Sequence, residues 1–238
     1  MSSDERQSLV LGVLGGMGPA ATLDFLRNVH DFTPARGDAD HIRILMDLNP
    51  KVPDRNTMGT AAGVALAEMA GALAGAGAQV LAMPCNTAHA HADLIQRASG
   101  LPLIDLIGEG AKAARLSGAR RVGVLGTKGA LRLYREYLAA QALGLVALPP
   151  ERQEAFMATI YRIKGGDLSE PVHDEMVGYA KELIADGAEA VIAGCTEAPL
   201  AMGAGDIRVE FIDPGELLAK RCVAVCLGYE PAPEVLVG

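Results

Sequence analysis

The sequence has no tryptophan, and aromatic residues make up only 4% of its 238 positions. Basic residues are the minority charge, because 21 Lys and Arg stand against 29 Asp and Glu and leave a net charge of −8. Proteins that bind nucleic acids need a basic surface and aromatic rings on which bases can stack. We therefore expect no nucleic-acid partner.

Long apolar runs are also missing, although half of the residues are apolar. The run at 9–14 is far shorter than the ~20 apolar residues that span a membrane, and no targeting signal is visible before it. The longer stretch at 59–80 includes Glu68 and Gln79, so a helix followed by a strand explains it better. We expect a cytoplasmic protein with no membrane partner.

Cysteine is scarce, with four residues in the chain. A cytoplasmic protein is not expected to use them as a disulfide framework. Cys222 and Cys226 lie among apolar residues without a histidine pair at ligand spacing, so we expect them to pack in a core rather than bind a metal. The other two, Cys85 and Cys195, lie in positions that suggest chemistry.

Short apolar runs alternate with longer amphipathic stretches along the chain. The predicted strands cover residues 9–14, 41–48, 79–83, 103–105, 121–125, 145–147, 190–193 and 209–212. The predicted helices cover residues 19–30, 60–74, 87–98, 130–142, 172–186 and 215–227, with a further helix near Pro199. Continuous apolar strands between amphipathic helices are typical of parallel sheets covered on both faces, so the pattern predicts an α/β fold.

Three segments of the first half recur in the second half about 110 positions later. VLGVLG at 10–15 returns as RVGVLG at 121–126, VLAMPCNT at 80–87 as AVIAGCT at 190–196, and LID at 103–105 as FID at 211–213. The repeat predicts two pseudo-symmetric α/β lobes, each a mostly parallel sheet flanked by helices. We assign residues 1–112 plus 207–238 to the first lobe and 113–206 to the second, with the active site between them and the last helix packed on the first lobe.

Cys85 and Cys195 occupy equivalent positions of this repeat, each after a predicted buried strand and before a helix start. Ligands of open α/β sheets bind at the carboxyl ends of strands. A helix N-terminus lowers the pKa of a nearby thiol, so we expect thiolate to be available at both positions. Either cysteine alone fits a small buried core residue better than a functional one, but the matched pair favours function.

A pair of thiols on opposite sides of one crevice suits inversion of a stereocentre. One group removes a proton from one face of the carbon, and the other returns a proton to the opposite face. Because the two groups are alike, they can exchange roles with the handedness of the substrate.

Further motifs resemble the aspartate racemase family. They are GGMGPAAT at 15–22, PDR at 53–55, PCNTAH at 84–89, IKGG at 163–166 and GCTE at 194–197. Glutamate racemases share the two cysteine cores, but they usually have His where this chain has Glu197. The resemblance implies a cofactor-independent amino-acid racemase, commonly a homodimer, with Cys85 and Cys195 as its two catalytic thiols.

The same resemblance assigns substrate-binding residues for an amino dicarboxylate. Arg55, with its planar fork, and Lys164, in a loop-like KGG segment, are implied to bind a substrate carboxylate. Asn86 and Thr87 offer polar groups and helix-start N–H donors to the α-carboxylate, and Thr196 does the same from the other lobe. Without the resemblance, the sequence would favour exposed surface charges for both Arg55 and Lys164.

Met17 lies in a glycine-rich turn after the first strand, and the resemblance places it at the substrate. The turn also fits the Gly-x-Gly-x-x-Ala dinucleotide fingerprint, but Pro19 removes a helix-start N–H that a pyrophosphate would use. We therefore expect no nucleotide cofactor. His89 and Glu197 each follow a candidate thiol closely, and the sequence allows them either a structural or a catalytic role.

Our interpretation is an aspartate racemase that transfers the α-proton between two thiols without a cofactor or a metal. A glutamate or broad-specificity amino-acid racemase is the first alternative. A dicarboxylate cis–trans isomerase that uses the first thiol as nucleophile is the second, and a non-enzymatic amino-acid-binding protein is the third.

Overall fold

A computed structural model of the chain describes residues 8–235. The strands are β1 (Leu11–Gly15), β2 (Ile44–Leu48), β3 (Val80–Ala82), β4 (Arg121–Val124), β5 (Gly144–Val146), β6 (Ala190–Ile192) and β7 (Glu210–Ile212). The α-helices are α1 (Pro19–Phe32), α2 (Gly59–Gly75), α3 (Ala92–Ser99), α4 (Leu106–Leu116), α5 (Lys128–Ala140), α6 (Pro150–Lys164), α7 (Glu170–Ala185), α8 (Ala198–Ala201) and α9 (Pro214–Cys226). None of the helices within this part of the chain is long and apolar enough to cross a membrane.

Contacts divide the chain into two compact units, each discontinuous in sequence. The first comprises Met1–Pro84, His91–Asp105 and Gly215–Gly238, as far as these segments are described, and the second comprises Cys85–Ala90 and Leu106–Pro214. The first unit contains a parallel sheet of order β2-β1-β3, and the second contains a parallel sheet of order β5-β4-β6-β7.

The two sheets repeat one plan, which confirms the pseudo-symmetric α/β fold expected from the sequence. In each, the first strand lies between the second and the third. Gly12 and Gly123 occupy equivalent positions in these central strands: a Cβ on Gly12 would lie 2.8 Å from Ala78 Cβ, and one on Gly123 would lie 3.1 Å from Ala188 Cβ. Glycine at both positions therefore lets the adjoining segments pack closely on the strand.

The edges of the two sheets differ in extent. In the second unit β7 pairs with β6 over three residues. In the first unit the equivalent strand, predicted at 103–105, is reduced to a single bridge between Leu81 and Leu103.

The contact units also differ from the predicted lobes in three segments. Residues 85–90, 106–112 and 207–214 were expected in the first lobe, but they lie in the second unit, so Cys85 and Cys195 belong to the same unit. The reason is pairing and packing, because β7 extends the second sheet and α4 packs on α5 and β7. Helix α9 belongs mainly to the first unit, where Leu9 N donates a hydrogen bond to Cys226 O at 2.9 Å. The boundaries of independently folding domains stay a prediction.

Helices α4 and α6 form where the sequence analysis predicts none. Two glycines weaken the helical pattern of α4, and a proline pair opens α6, although proline is well accommodated in the first turn of a helix. Lys164 is consequently the last residue of α6 rather than part of a loop. The helix predicted at 87–98 is a 3-10 turn over Thr87–His91 followed by α3.

Candidate active site

The second unit contains most of the residues that the sequence predicts for the site. They are Cys85, Asn86 and Thr87 after β3, Lys164 at the end of α6, and Cys195 and Thr196 after β6. All except Lys164 are buried. Met17 and Arg55 lie in the first unit.

Cys195 is linked to Lys164 through a buried carboxylate. The Cys195 Sγ donates a hydrogen bond to Glu197 Oε2 at 2.9 Å. The other oxygen of the same carboxylate, Oε1, lies 3.5 Å from the Lys164 Nζ. Because a carboxylate can only accept, the Cys195 thiol carries its proton in this arrangement.

The environment of Cys195 opposes ionisation. Burial raises the pKa of the Cys195 thiol well above its usual range, and the negative charge of Glu197 raises it further, while Lys164 acts in the opposite direction. The expectation of a lowered pKa is therefore wrong for this residue. Helix α8, which follows it, has only four residues, so its dipole does not outweigh the loss of solvation.

Glu197 is the functional candidate whose role the sequence left undecided. The residue is only 2% exposed, and its Oε1 has an ion pair but no hydrogen bond within residues 8–235. Burying an incompletely satisfied carboxylate is costly, and such groups concentrate at functional sites. The signal in the sequence was the GCTE motif, which does not reveal the direction of the side chain.

Cys85 is positioned through its backbone by His89. The Nδ1 of His89 lies 2.9 Å from the Cys85 carbonyl oxygen, and its Nε2 accepts a hydrogen bond from Leu106 N at 3.2 Å. Since a backbone N–H can only donate, Nε2 is unprotonated and the proton lies on Nδ1. His89 is therefore a neutral link between the Cys85 loop and the start of α4, with neither nitrogen directed to act as a base.

Asn86 contacts helix α5, and Thr87 contacts Thr127, the residue that precedes this helix. The Tyr134 Oη donates to Asn86 Oδ1 at 2.8 Å, while the buried Asn86 Nδ2 has no hydrogen-bond partner among the described residues. The hydroxyl oxygens of Thr87 and Thr127 lie 2.7 Å apart. Neither Tyr134 nor Thr127 was singled out by the sequence analysis.

The turn at 126–127 connects the surroundings of the two cysteine loops. A Cβ on Gly126 would lie 3.1 Å from Gly194 O, so the absence of a side chain lets this turn approach the residue before Cys195. On the other side, Thr127 bonds to Thr87, two residues after Cys85. The side-chain amide of Gln153 also donates to Gly126 O at 2.8 Å and holds the turn in place.

Met17 and Arg55 form a separate group in the first unit. The Arg55 Nη2 lies 3.5 Å from Met17 O, and Nη1 lies 3.4 Å from Val52 O and 3.3 Å from Pro53 O. These carbonyl contacts are long, Nε is buried without a hydrogen bond, and no carboxylate in the described part of the chain pairs with the guanidinium. Arg55 therefore retains the charge and the donors needed to bind an anion.

The remaining cysteines fit a packing role. Cys222 and Cys226 are buried on α9, and burial raises the pKa of Cys226 to about 12. Over residues 8–235, no cluster of three or more His, Cys, Asp or Glu side chains could hold a metal ion.

Comparisons of the sequence and the structure with known proteins agree on one family. A model of the family described as Asp/Glu/Hydantoin racemase matches residues 14–222. The broad specificity amino-acid racemase RacX of Bacillus subtilis (strain 168) is 27% identical over 230 residues, which cover 93% of this chain and 100% of that protein. A glutamate racemase of Synechococcus sp. (strain CC9605) is 32% identical over 179 residues, covering 71% of this chain and 64% of that protein. The crystal structure of an aspartate racemase homologue from Pyrococcus horikoshii OT3 matches with a TM-score of 0.74 at 26% identity, covering 91% of this chain and 98% of that one.

Proposed function

The chain belongs to the Asp/Glu/hydantoin racemase family, and we propose that it interconverts L- and D-aspartate by moving the α-proton between the thiols of Cys85 and Cys195. It is accordingly an isomerase, and the proposed reaction uses no cofactor. The aspartate substrate, the two-thiol mechanism, a homodimeric assembly and a cytoplasmic location all belong to this proposal.

The observation that carries the proposal is the contact of the buried Cys195 thiol with the buried Glu197 carboxylate, which is paired in turn with Lys164. A thiol that donates to a carboxylate at 2.9 Å is held as a proton donor. The Lys164 ammonium, 3.5 Å from that carboxylate, offsets its charge in the buried environment. These contacts support a stored acid beside the reacting carbon, as a racemase requires on one face of its substrate.

The proton balance is simple in both directions. With Cys85 as the base, the α-proton moves to its sulfur while the Cys195 thiol gives its own proton to the opposite face of the carbon. In the reverse direction, the Cys195 thiolate that this step leaves takes the α-proton, while the Cys85 thiol gives its proton to the opposite face. Cys195 therefore serves as an acid in one direction and as a base in the other, and its contact with Glu197 holds the proton before the reaction begins.

The α-proton of an amino acid is very weakly acidic, so charge developing on the α-carboxylate must be stabilised. We assign this role to Asn86, Thr87 and Thr196, with the unpartnered Asn86 Nδ2 as the leading donor. Preorganised donors of this kind are worth ~3–4 kcal/mol each when they meet charge that develops in the transition state.

The side-chain carboxylate of aspartate needs a cation. We assign Arg55 and Lys164 to it, on the resemblance and on the absence of a carboxylate partner for Arg55 within the described residues. Met17, whose carbonyl receives an Arg55 contact, is assigned to the same function.

Incubation of L-aspartate with cofactor-free protein in deuterium oxide tests the proposal. We expect D-aspartate to accumulate with deuterium at the α-carbon, as measured by chiral chromatography and mass spectrometry. Binding without isotope exchange would identify an amino-acid-binding protein instead, and isomerisation of an unsaturated dicarboxylate without α-exchange would identify a cis–trans isomerase.

Replacement of the thiols tests the mechanism. Cys85→Ala and Cys195→Ala should each abolish racemisation, while Cys226→Ala, which changes a buried cysteine on α9, should leave it intact. Far-UV circular dichroism verifies that each variant is folded. Racemisation at the unmodified rate in either of the first two variants would refute the two-thiol mechanism.

A broad-specificity amino-acid racemase is the second candidate, favoured by the similarity to RacX over 93% of the chain. A panel of L-amino acids, with glutamate and neutral side chains included, separates the two. Turnover of neutral amino acids at rates comparable to aspartate would favour the second candidate. Light scattering of the same sample checks the proposed homodimer.

A further inference from the structure

Two residues of the second unit, outside every motif of the sequence analysis, fix the side chains that we assign to the α-carboxylate. Tyr134 lies on α5 and is fully buried, and its Oη donates to Asn86 Oδ1 at 2.8 Å. Thr127 caps the same helix and accepts from Ala130 N at 3.1 Å. Its hydroxyl lies 2.7 Å from that of Thr87.

The contact with Tyr134 leaves Asn86 with one unsatisfied donor. With its oxygen occupied by Tyr134, the Asn86 amide presents Nδ2, which is buried and has no partner among the residues described. Buried amide nitrogens are nearly always hydrogen-bonded, so an orphaned one is completed by a group outside the described residues, either an ordered water or a ligand. An acceptor such as a carboxylate oxygen is the chemistry it lacks.

The Thr127 hydroxyl bonds to Thr87, and either of the two hydroxyls can be the donor in that bond. The Thr127 oxygen also accepts the Ala130 N–H as the helix cap, and its proton is available for the Thr87 oxygen. When Thr127 donates in this way, the Thr87 hydroxyl keeps its own proton for a ligand.

We propose that Tyr134 and Thr127 are positioning residues, which orient Asn86 Nδ2 and the Thr87 hydroxyl as a matched pair of donors for the substrate α-carboxylate. This inference rests on the proposed function and adds to it the helix that sets the donor directions. Thr127 is the N-cap of α5 and Tyr134 lies about two turns further along the helix, so one helix positions both residues.

Gly110 of α4 lies against the Tyr134 hydroxyl, so a substitution there offers a second test of the position of this hydroxyl. A Cβ on Gly110 would lie 3.0 Å from the Tyr134 Oη and 3.3 Å from Pro214 Cγ. Gly110→Ala should therefore displace the Tyr134 hydroxyl without removing it.

The test compares Tyr134→Phe with Tyr161→Phe, which removes a tyrosine hydroxyl from an exposed site on α6. We expect Tyr134→Phe to lower kcat/KM for aspartate about tenfold, which corresponds to ~1.4 kcal/mol for one lost hydrogen bond. Gly110→Ala should lower kcat/KM in the same direction, and Tyr161→Phe should leave it unchanged. Thermal unfolding verifies that the variants remain folded.

A double-mutant cycle separates positioning from packing. If Tyr134 acts through Asn86, Tyr134→Phe should have no further effect on kcat/KM in an Asn86→Ala background. An undiminished tenfold loss in that background, or unchanged kcat/KM in Tyr134→Phe alone, would overturn the inference.

Direct binding distinguishes failure of this inference from failure of the proposed function. Calorimetric titration of aspartate into Cys85→Ala, with and without Tyr134→Phe, needs no turnover. A weaker affinity in the double variant supports the positioning role even if the unmodified protein does not racemise aspartate. Equal affinities together with full racemisation by Tyr134→Phe would refute the positioning role and leave the proposed function intact.

Discussion

The turn before Met17 allows a strong test of the packing that supports the first unit. Gly16 has a φ of +94°, and a Cβ there would lie 2.4 Å from the carbonyl carbon of Asn49. Gly16→Ala therefore combines two penalties. The left-handed backbone costs about 1–2 kcal/mol for a residue with a Cβ, and the overlap costs about 1–3 kcal/mol or more because the neighbouring atom is backbone.

Two control glycines in the same unit separate these penalties. Gly77 has a φ of +100°, and a Cβ there would meet no atom within 4 Å, so Gly77→Ala carries the backbone strain alone. Gly12 has no left-handed φ, but a Cβ would lie 2.7 Å from Leu81 Cδ2 and 2.8 Å from Ala78 Cβ, so Gly12→Ala carries the overlap alone. We expect Gly16→Ala to lose about 2–5 kcal/mol, close to the sum of the two controls.

Urea unfolding followed by far-UV circular dichroism measures the free energy of unfolding of each variant. A loss of this size is a large part of the ~5–15 kcal/mol that stabilises a typical protein. Mutational effects usually add within ~0.5 kcal/mol. If Gly16→Ala loses no more free energy of unfolding than Gly77→Ala within that margin, the close approach to Asn49 is refuted.

Three further predictions concern charges. Glu197→Gln should lower the pKa of the Cys195 thiol, since the carboxylate raises it, and thiolate absorbance near the ultraviolet edge should then appear at a lower pH than in the unmodified protein. Arg55→Met should raise the KM for aspartate at least about tenfold, because a charge-assisted hydrogen bond to the side-chain carboxylate is removed. The KM for an amino acid with a neutral side chain should change less. Equal changes in KM for the two substrates would argue against a carboxylate site at Arg55. Hydrogen bonds from Thr159 and Arg162 hold the pKa of Glu175 below its usual value. The ionised Glu175 therefore stabilises the fold above its unfolded pKa near 4, and this stabilisation is lost as the pH falls through the lower folded pKa. Arg162→Met should make the free energy of unfolding, measured in urea, depend less on acid pH.

Much of the fold could be predicted because its pattern is local. The central strand β1 is a continuous apolar run, β4 is apolar after Arg121, and the repetition of this pattern in sequence predicted two sheets of one plan. Helices α4 and α6 were missed because glycine in one and a proline pair in the other weaken the local signal that packing then overrides.

The candidate site was predictable in its residue types but not in its contacts. The motifs named Cys195 and left Glu197 undecided, since only the folded chain directs the carboxylate onto the thiol. The bond between Tyr134 and Asn86 joins positions 48 residues apart, and no spacing rule connects them. The raised pKa of Cys195 likewise follows from burial, which a motif does not report.

The discontinuity of the first unit has a consequence for the order in which the protein assembles during translation. Residues 106–214, nearly all of the second unit, emerge from the ribosome as one stretch. The first unit, by contrast, waits for α9, whose last carbonyl receives the hydrogen bond from Leu9. The part of the chain that is synthesised first is therefore completed last, and until then the surface that α9 covers is exposed to chaperones and to aggregation.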